Sequence, residues 1–180
     1  MENVIRKICN SDYFIHIIGL NDVNCGNVND LFGEIDRLKD GYFYQILDAN
    51  AIAGVEHLYF AAVNALKAFS QGLNISKRFS LEFLLHVSGQ RQISKAIEMV
   101  GVKRDTKEIV LVIFAQKKKV SSTAITTISK IIGGIRDDNV LEIHDPIRVA
   151  ELYGLENFYD NITMLKRLLI ERSALLITQY

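Results

Sequence analysis

The chain has 180 residues, 49% of them apolar, and its 21 basic and 21 acidic side chains leave no net charge. That is enough apolar material to bury a core within one domain spanning residues 1–180. No apolar run approaches the roughly 18–20 residues of a membrane span. The opening MENVIRKICNSDYF shows no apolar signal segment, and Cys9 and Cys25 share no CxxC spacing, so a reduced cytoplasmic protein is expected, not a membrane, secreted or disulfide-scaffold one.

In chain order, the aromatic and β-branched run Tyr13–Gly19 predicts a strand closing on a Gly-Leu-Asn-Asp turn. Asn27 or Asn29 is placed to cap a helix through about Lys39, with Val28, Leu31, Phe32, Ile35 and Leu38 on one side. Asp40-Gly41 reads as a turn and Tyr42–Leu47 as a second strand. A long amphipathic helix follows from Gly54, its stripe formed by Val55, Leu58, Ala62, Leu66 and Phe69. Leu81, Leu84 and Leu85 mark a second helix, and Ile93, Ala96, Ile97 and Val100 a third. Between these two lies Val87-Ser88-Gly89-Gln90-Arg91, a break that glycine permits.

The continuous apolar run Ile109–Ala115 predicts a strand buried on both faces at the centre of a sheet. Ser121 or Ser122 is placed to cap a helix carrying Ile125, Ile128, Ile131 and Ile132, which stops at Gly133-Gly134. Asp145-Pro146 starts a short helix that Gly154 ends, and a last helix runs from about Asp160 to near Tyr180. The pattern is α+β: a small mixed or antiparallel sheet packed with about six or seven helices.

Catalytic signatures are missing. There is no GxGxxG, no Walker-type loop, no HExxH and no GxSxG, and the four histidines are scattered, so neither a cofactor nor a metal site is expected. Glu56 beside His57 is the one adjacent acid–base pair, placed at the start of the long helix, where capping or packing also accounts for it.

Two features stand out. Between Ser76 and Lys119 ten basic residues face only four acids, a charge bias suited to phosphate. At the break, Ser88, Gln90 and Arg91, with Arg91, Gln92 and Lys95 in the first turns of the next helix, would suit phosphate oxygens; Lys77 and Arg78 would extend the patch. The last helix is the second feature. Ile162, Leu165, Leu169 and Leu176 share one face, while Leu168, Ile170, Leu175 and Ile177 extend beyond a core-facing stripe and suggest a partner groove.

The segments DAN-x(3)-GVEHLYFAAVNALKAF and LEFLLHVSGQRQISKAIEMVG, followed by an apolar strand, resemble the small PRPK-binding-protein subunit of the KEOPS complex, particularly its archaeal members. The resemblance covers most of Ile46–Ala115, with an echo in SALLI near the end; SGQRQI-x(2)-AI is its specific part. It implies a non-catalytic subunit that binds the complex's small atypical kinase, an ATPase, and through it the transferase subunit that makes threonylcarbamoyl-adenosine in tRNA. It also implies recruitment of tRNA by its single-stranded CCA end, and a kinase contact that falls here on Leu168, Leu169, Leu175 and Leu176. Two alternatives remain: a pure interaction module of the kinase that ignores RNA, and a small-molecule enzyme using Glu56 and His57.

Overall fold

The computed structural model describes residues 4–26, 42–116 and 122–178, with 122–125 described by backbone alone. The expected helix over 27–39, the Lys117–Lys119 cluster and Ser121 lie outside the described residues. Five strands are present among them: β1 (Val4–Lys7), β2 (Phe14–Asn21), β3 (Phe43–Asp48), β4 (Ile109–Ala115) and β5 (Ile135–Arg136). They accompany six α-helices: α1 (Gly54–Gln71), α2 (Phe79–Ser88), α3 (Ile93–Val100), α4 (Ser122–Ile132), α5 (Pro146–Tyr153) and α6 (Ile162–Leu175). The fold is α+β, and every strand pair is antiparallel. None of the described helices is long and apolar enough to cross a membrane.

Contacts divide the chain into two compact units, one formed by 1–49 with 102–140 and the other by 50–101 with 141–180. The first holds the sheet, in the order β1-β2-β4-β3, with β5 pairing the far end of β2. As its composition predicts, β4 is central and all seven of its residues are buried. Residues of alternating parity (Ile18 and Leu20 on β2, Ile46 on β3, Ile109, Leu111 and Ile113 on β4) join Ile128 and Ile132 of α4 in one apolar cluster.

Strand β2 runs two residues past the expected stop at Gly19, and the backbone leaves the strand conformation only at Asp22, whose φ is 54°. Gly19 is required there for close approach. A Cβ on it would fall onto the Asp137 carbonyl oxygen and within 2.6 Å of Val140 Cγ2, and that same stretch is tied to the strand by Asp137 N–H donating to Gly19 O at 3.1 Å.

The second unit is helical. The buried face of α1 consists of Gly54, His57, Leu58, Ala61, Ala62, Ala65 and Ala68. The expected stripe is therefore displaced: Leu58 and Ala62 belong to it, but Val55, Leu66 and Phe69 are only half-buried. The small alanines line the side that packs against α2 and α6, where short side chains let helix axes come close.

Helix α2 is buried almost all round, from Glu82 to Ser88 without interruption. Its polar groups must then find partners inside. Glu82 Oε2 accepts from the amides of Ile75 (2.9 Å) and Ser76 (2.7 Å), and its Oε1 lies 3.5 Å from His86 Nε2. His86 Nδ1 lies 3.0 Å from the Ser173 carbonyl of α6, which can only accept, so Nδ1 carries a proton. Asn64 of α1 donates to Ser173 Oγ at 3.2 Å. Three helices thus share one polar cluster. Asp145 caps α5 through Arg148 N–H (2.9 Å), and Asn161 caps α6 through Met164 N–H (3.0 Å).

Two consequences can be measured. Gly19→Ala is expected to cost about 1–3 kcal/mol in urea unfolding, because neither the Asp137 carbonyl nor Val140 can withdraw without disturbing β2. Burial alone would push the Glu82 carboxyl up. The hydrogen bonds from His86, Ser76 and Ile75 outweigh it and hold the group below the usual carboxylate range. Its stabilising contribution is therefore complete above the unfolded-state value and is lost as pH falls through the folded one. Glu82→Gln should lower stability by about 3 kcal/mol at neutral pH. Parallel unfolding curves should show that gap narrowing as pH falls through and below the ordinary carboxylate range, as the wild-type carboxyl also takes up a proton.

Candidate nucleic-acid interface

Helix α2 ends where its backbone turns left-handed at Gly89 (φ 63°, ψ 25°). The Leu85 carbonyl receives Gln90 N–H at 3.2 Å and the Ser88 hydroxyl at 3.1 Å; Ser88 Oγ in turn accepts from Gln90 N–H at 3.3 Å. Ser88 is wholly buried, so its hydroxyl shapes the turn from within and does not reach the surface. Gln90 is half-buried, while Arg91, Gln92 and Lys95 are exposed. Gln92, the N-cap residue of α3, makes no side-chain cap. The first amides of the helix therefore go without one, and Arg91 and Lys95 lie exposed at the same end, an arrangement that favours an anion.

The expected patch is only partly brought together. Lys77 and Arg78 are exposed, but they precede α2 whereas Arg91 follows it, a separation of about 15 Å along ten helical residues. Their loop is ordered from inside by Glu82 and by Arg78 N–H donating to Ser76 Oγ at 3.2 Å. Phe79 is buried against Phe69, their ring centroids 5.6 Å apart, and offers no stacking surface.

Helix α3 departs from its expected stripe. Only Ala96 and Val100 are buried; Ile93 is 36% exposed and Ile97 50%. The helix packs against α2, and that contact leaves Ile93 and Ile97 uncovered. Two apolar side chains consequently stand outside next to Arg91 and Lys95. Periodicity assigned them to the core, and only the shortness of α3, barely two turns, hinted otherwise.

Glu56 and His57 do not form a working acid–base pair. His57 is wholly buried, with Nδ1 accepting from Ala53 N–H (3.1 Å) and Nε2 donating to the Val87 carbonyl (3.0 Å). Burial pushes its pKa down to about 4, so the ring stays neutral. Glu56 lies exposed, and the pair is removed as a catalytic couple. His57 instead ties α1 to the end of α2. Tyr153 of α5 converges on the same point, its hydroxyl lying 3.2 Å from the Val87 carbonyl and 3.0 Å from the Ala51 carbonyl. Burial pushes that phenol far up, so it remains a donor.

On α6, Leu165, Leu169 and Ser173 are buried, as is Leu176 just beyond the helix. Leu169 and Leu176, expected at a partner surface, therefore serve the core of their unit. Leu168 is half-buried, and Leu175 is 46% exposed. Met164, also exposed, aligns with them at spacings of four and seven, so α6 has an outward apolar line as well as an inward one. The 164–168–175 spacing is readable in the sequence, but the richer inward face masks it.

Mutating the lock on Val87 should register as stability, not chemistry. His57→Ala is expected to cost about 2–4 kcal/mol in thermal or urea unfolding, since it opens a cavity and strips the Ala53 amide and Val87 carbonyl of a partner.

Comparison with known proteins identifies the family of the chain. The family described as "Kinase binding protein CGI-121" matches residues 22–176. A relative from Methanocaldococcus jannaschii named "Regulatory protein Cgi121" is 32% identical over 120 residues, covering 66% of this chain and 74% of its own. A Pyrococcus abyssi protein named "KEOPS complex subunit Cgi121" is 41% identical over 49 residues, 27% of this chain and 29% of its own. The match extends the resemblance carried by Ile46–Ala115 across most of the chain, and the chain belongs to the CGI-121 family of kinase-binding proteins.

Proposed function

We propose that the chain is a non-catalytic accessory subunit of a KEOPS complex in the cytoplasm, residues 1–180 acting as one functional domain. It binds the single-stranded CCA end of tRNA at the Gly89–Lys95 turn and the small kinase subunit on the outward side of α6, in support of threonylcarbamoyl-adenosine modification by the transferase. Kinase binding follows from the family's description, and complex membership from the name of the Pyrococcus relative.

One observation carries the RNA reading: an uncapped helix start with exposed Arg91, Gln92 and Lys95, flanked by exposed Ile93 and Ile97. Cations and uncapped amides suit the phosphates of a single strand, and the isoleucines offer apolar surface to unstacked bases and riboses. Lys77 and Arg78 would meet the backbone farther along. Arg91→Glu with Lys95→Glu should weaken tRNA binding in gel shifts at least tenfold at low salt. The same change should flatten the salt dependence by roughly one unit of slope for every phosphate that is no longer neutralised. Unchanged binding by a folded double variant overturns the RNA reading; equal affinity for tRNA lacking its CCA end overturns the choice of site.

The outward line Met164, Leu168 and Leu175 favours the partner reading independently of RNA. Leu168→Asp with Leu175→Asp should weaken capture of the kinase subunit by about 2 kcal/mol or more in a pull-down or calorimetric titration. Full-strength capture by that variant places the kinase elsewhere. Kinase capture by wild-type protein that fails to shift tRNA at low salt would favour an interaction module that ignores RNA.

A further inference from the structure

The turn that presents Arg91 is held from outside its own two helices. A Cβ on Gly89 would lie 2.5 Å from both Cγ and Cδ of Arg172, so the aliphatic stem of that arginine rests on the glycine backbone where no other residue would leave room. The guanidinium of Arg172 is engaged elsewhere, with Nη1 donating to the Tyr153 carbonyl at 2.7 Å. One helical turn further on, the Leu176 carbonyl accepts from Arg91 Nη1 at 3.1 Å. Ser173, between them, is fixed by His86 and Asn64. The end of α6 therefore touches the turn at both of its ends: a stem pressed on Gly89 and a carbonyl holding the side chain of Arg91.

We propose that Arg172 is a positioning residue for the RNA surface, its stem setting the path of the Gly89–Arg91 turn so that Arg91 is aimed by the Leu176 carbonyl toward phosphate. This rests on the RNA reading above. In that role Arg172 contributes through Arg91 and makes no phosphate contact of its own, which a double-mutant cycle detects.

The test uses the full chain and a fluorescently labelled single-stranded RNA ending in CCA, with affinity read by anisotropy and folding by thermal unfolding. Arg172→Ala should weaken binding about fivefold in the wild-type background and have almost no effect in an Arg91→Ala background, a coupling of the size seen for residues sharing one network. Arg172→Lys, which keeps the stem and a donor for Tyr153, should restore affinity. Should Arg172→Ala fail to fold, Arg172→Met, which keeps most of the stem but loses its anchor, should bind the RNA nearly as tightly as the wild type, and a fivefold loss in that variant would overturn the role of the stem. Equal losses in both backgrounds would make Arg172 an independent contact and overturn the proposal. No loss from Arg172→Ala, where Arg91→Ala does weaken binding, overturns it while leaving the RNA reading standing. Failure of the wild-type chain to bind the RNA removes both.

Discussion

The burial of α2 is the constraint on which the helical unit depends. A helix enclosed on nearly every side has no water for its polar groups, and this one carries Glu82, His86 and Ser88 together with a Val87 carbonyl that accepts from outside the helix. Each is answered by a different segment. Glu82 orders the Ile75–Ser76 loop, His86 meets Ser173 of α6, and the Val87 carbonyl receives His57 of α1 with the Tyr153 hydroxyl of α5 close by. Apolar packing would tolerate several arrangements of these helices; hydrogen bonds of fixed direction tolerate one. The alanine face of α1 provides the closeness, and the polar groups fix the register.

The same arrangement explains how a short turn can act as a surface. Its inward atoms are committed: Ser88 to the cap, Leu85 to Ser88 and Gln90, and Gly89 to the stem of Arg172. What remains outside is a small patch of cations, uncapped amides and two isoleucines on a backbone already set in shape. Preorganisation of this kind lowers the ordering cost that binding a flexible single strand would otherwise incur. Helix α6 has a share in both proposed surfaces, since its outward line faces a partner while its end holds the turn.

Much of this was legible in sequence. Continuous Ile109–Ala115 announced a central strand, Asp145-Pro146 and Gly154 bracketed α5, and the Ser88–Arg91 break separated α2 from α3 because glycine and cap chemistry are local signals. Other features were not local. Strands β1 and β5, four and two residues long, carry no periodicity of their own and exist through pairing with β2. His57 looked like a possible base beside Glu56, yet its partner is a carbonyl thirty residues away. Ile93 and Ile97 obeyed a helical stripe that packing against α2 does not cover. Glu82 and His86, four apart in a mostly apolar helix, were a readable sign of a buried polar pair. Arg172 gave no sign at all, because its role comes from the missing side chain of Gly89.

The central claim is that nucleic acid is met at the break between α2 and α3, not by basic charge in general. The most direct test is a titration of isotopically labelled protein with a single-stranded RNA ending in CCA, followed through backbone amide resonances. The largest shifts are expected at Gly89–Lys95, with smaller ones at Lys77 and Arg78. Shifts confined to another basic segment, such as Lys103–Lys107, with Gly89–Lys95 unmoved, would contradict the claim.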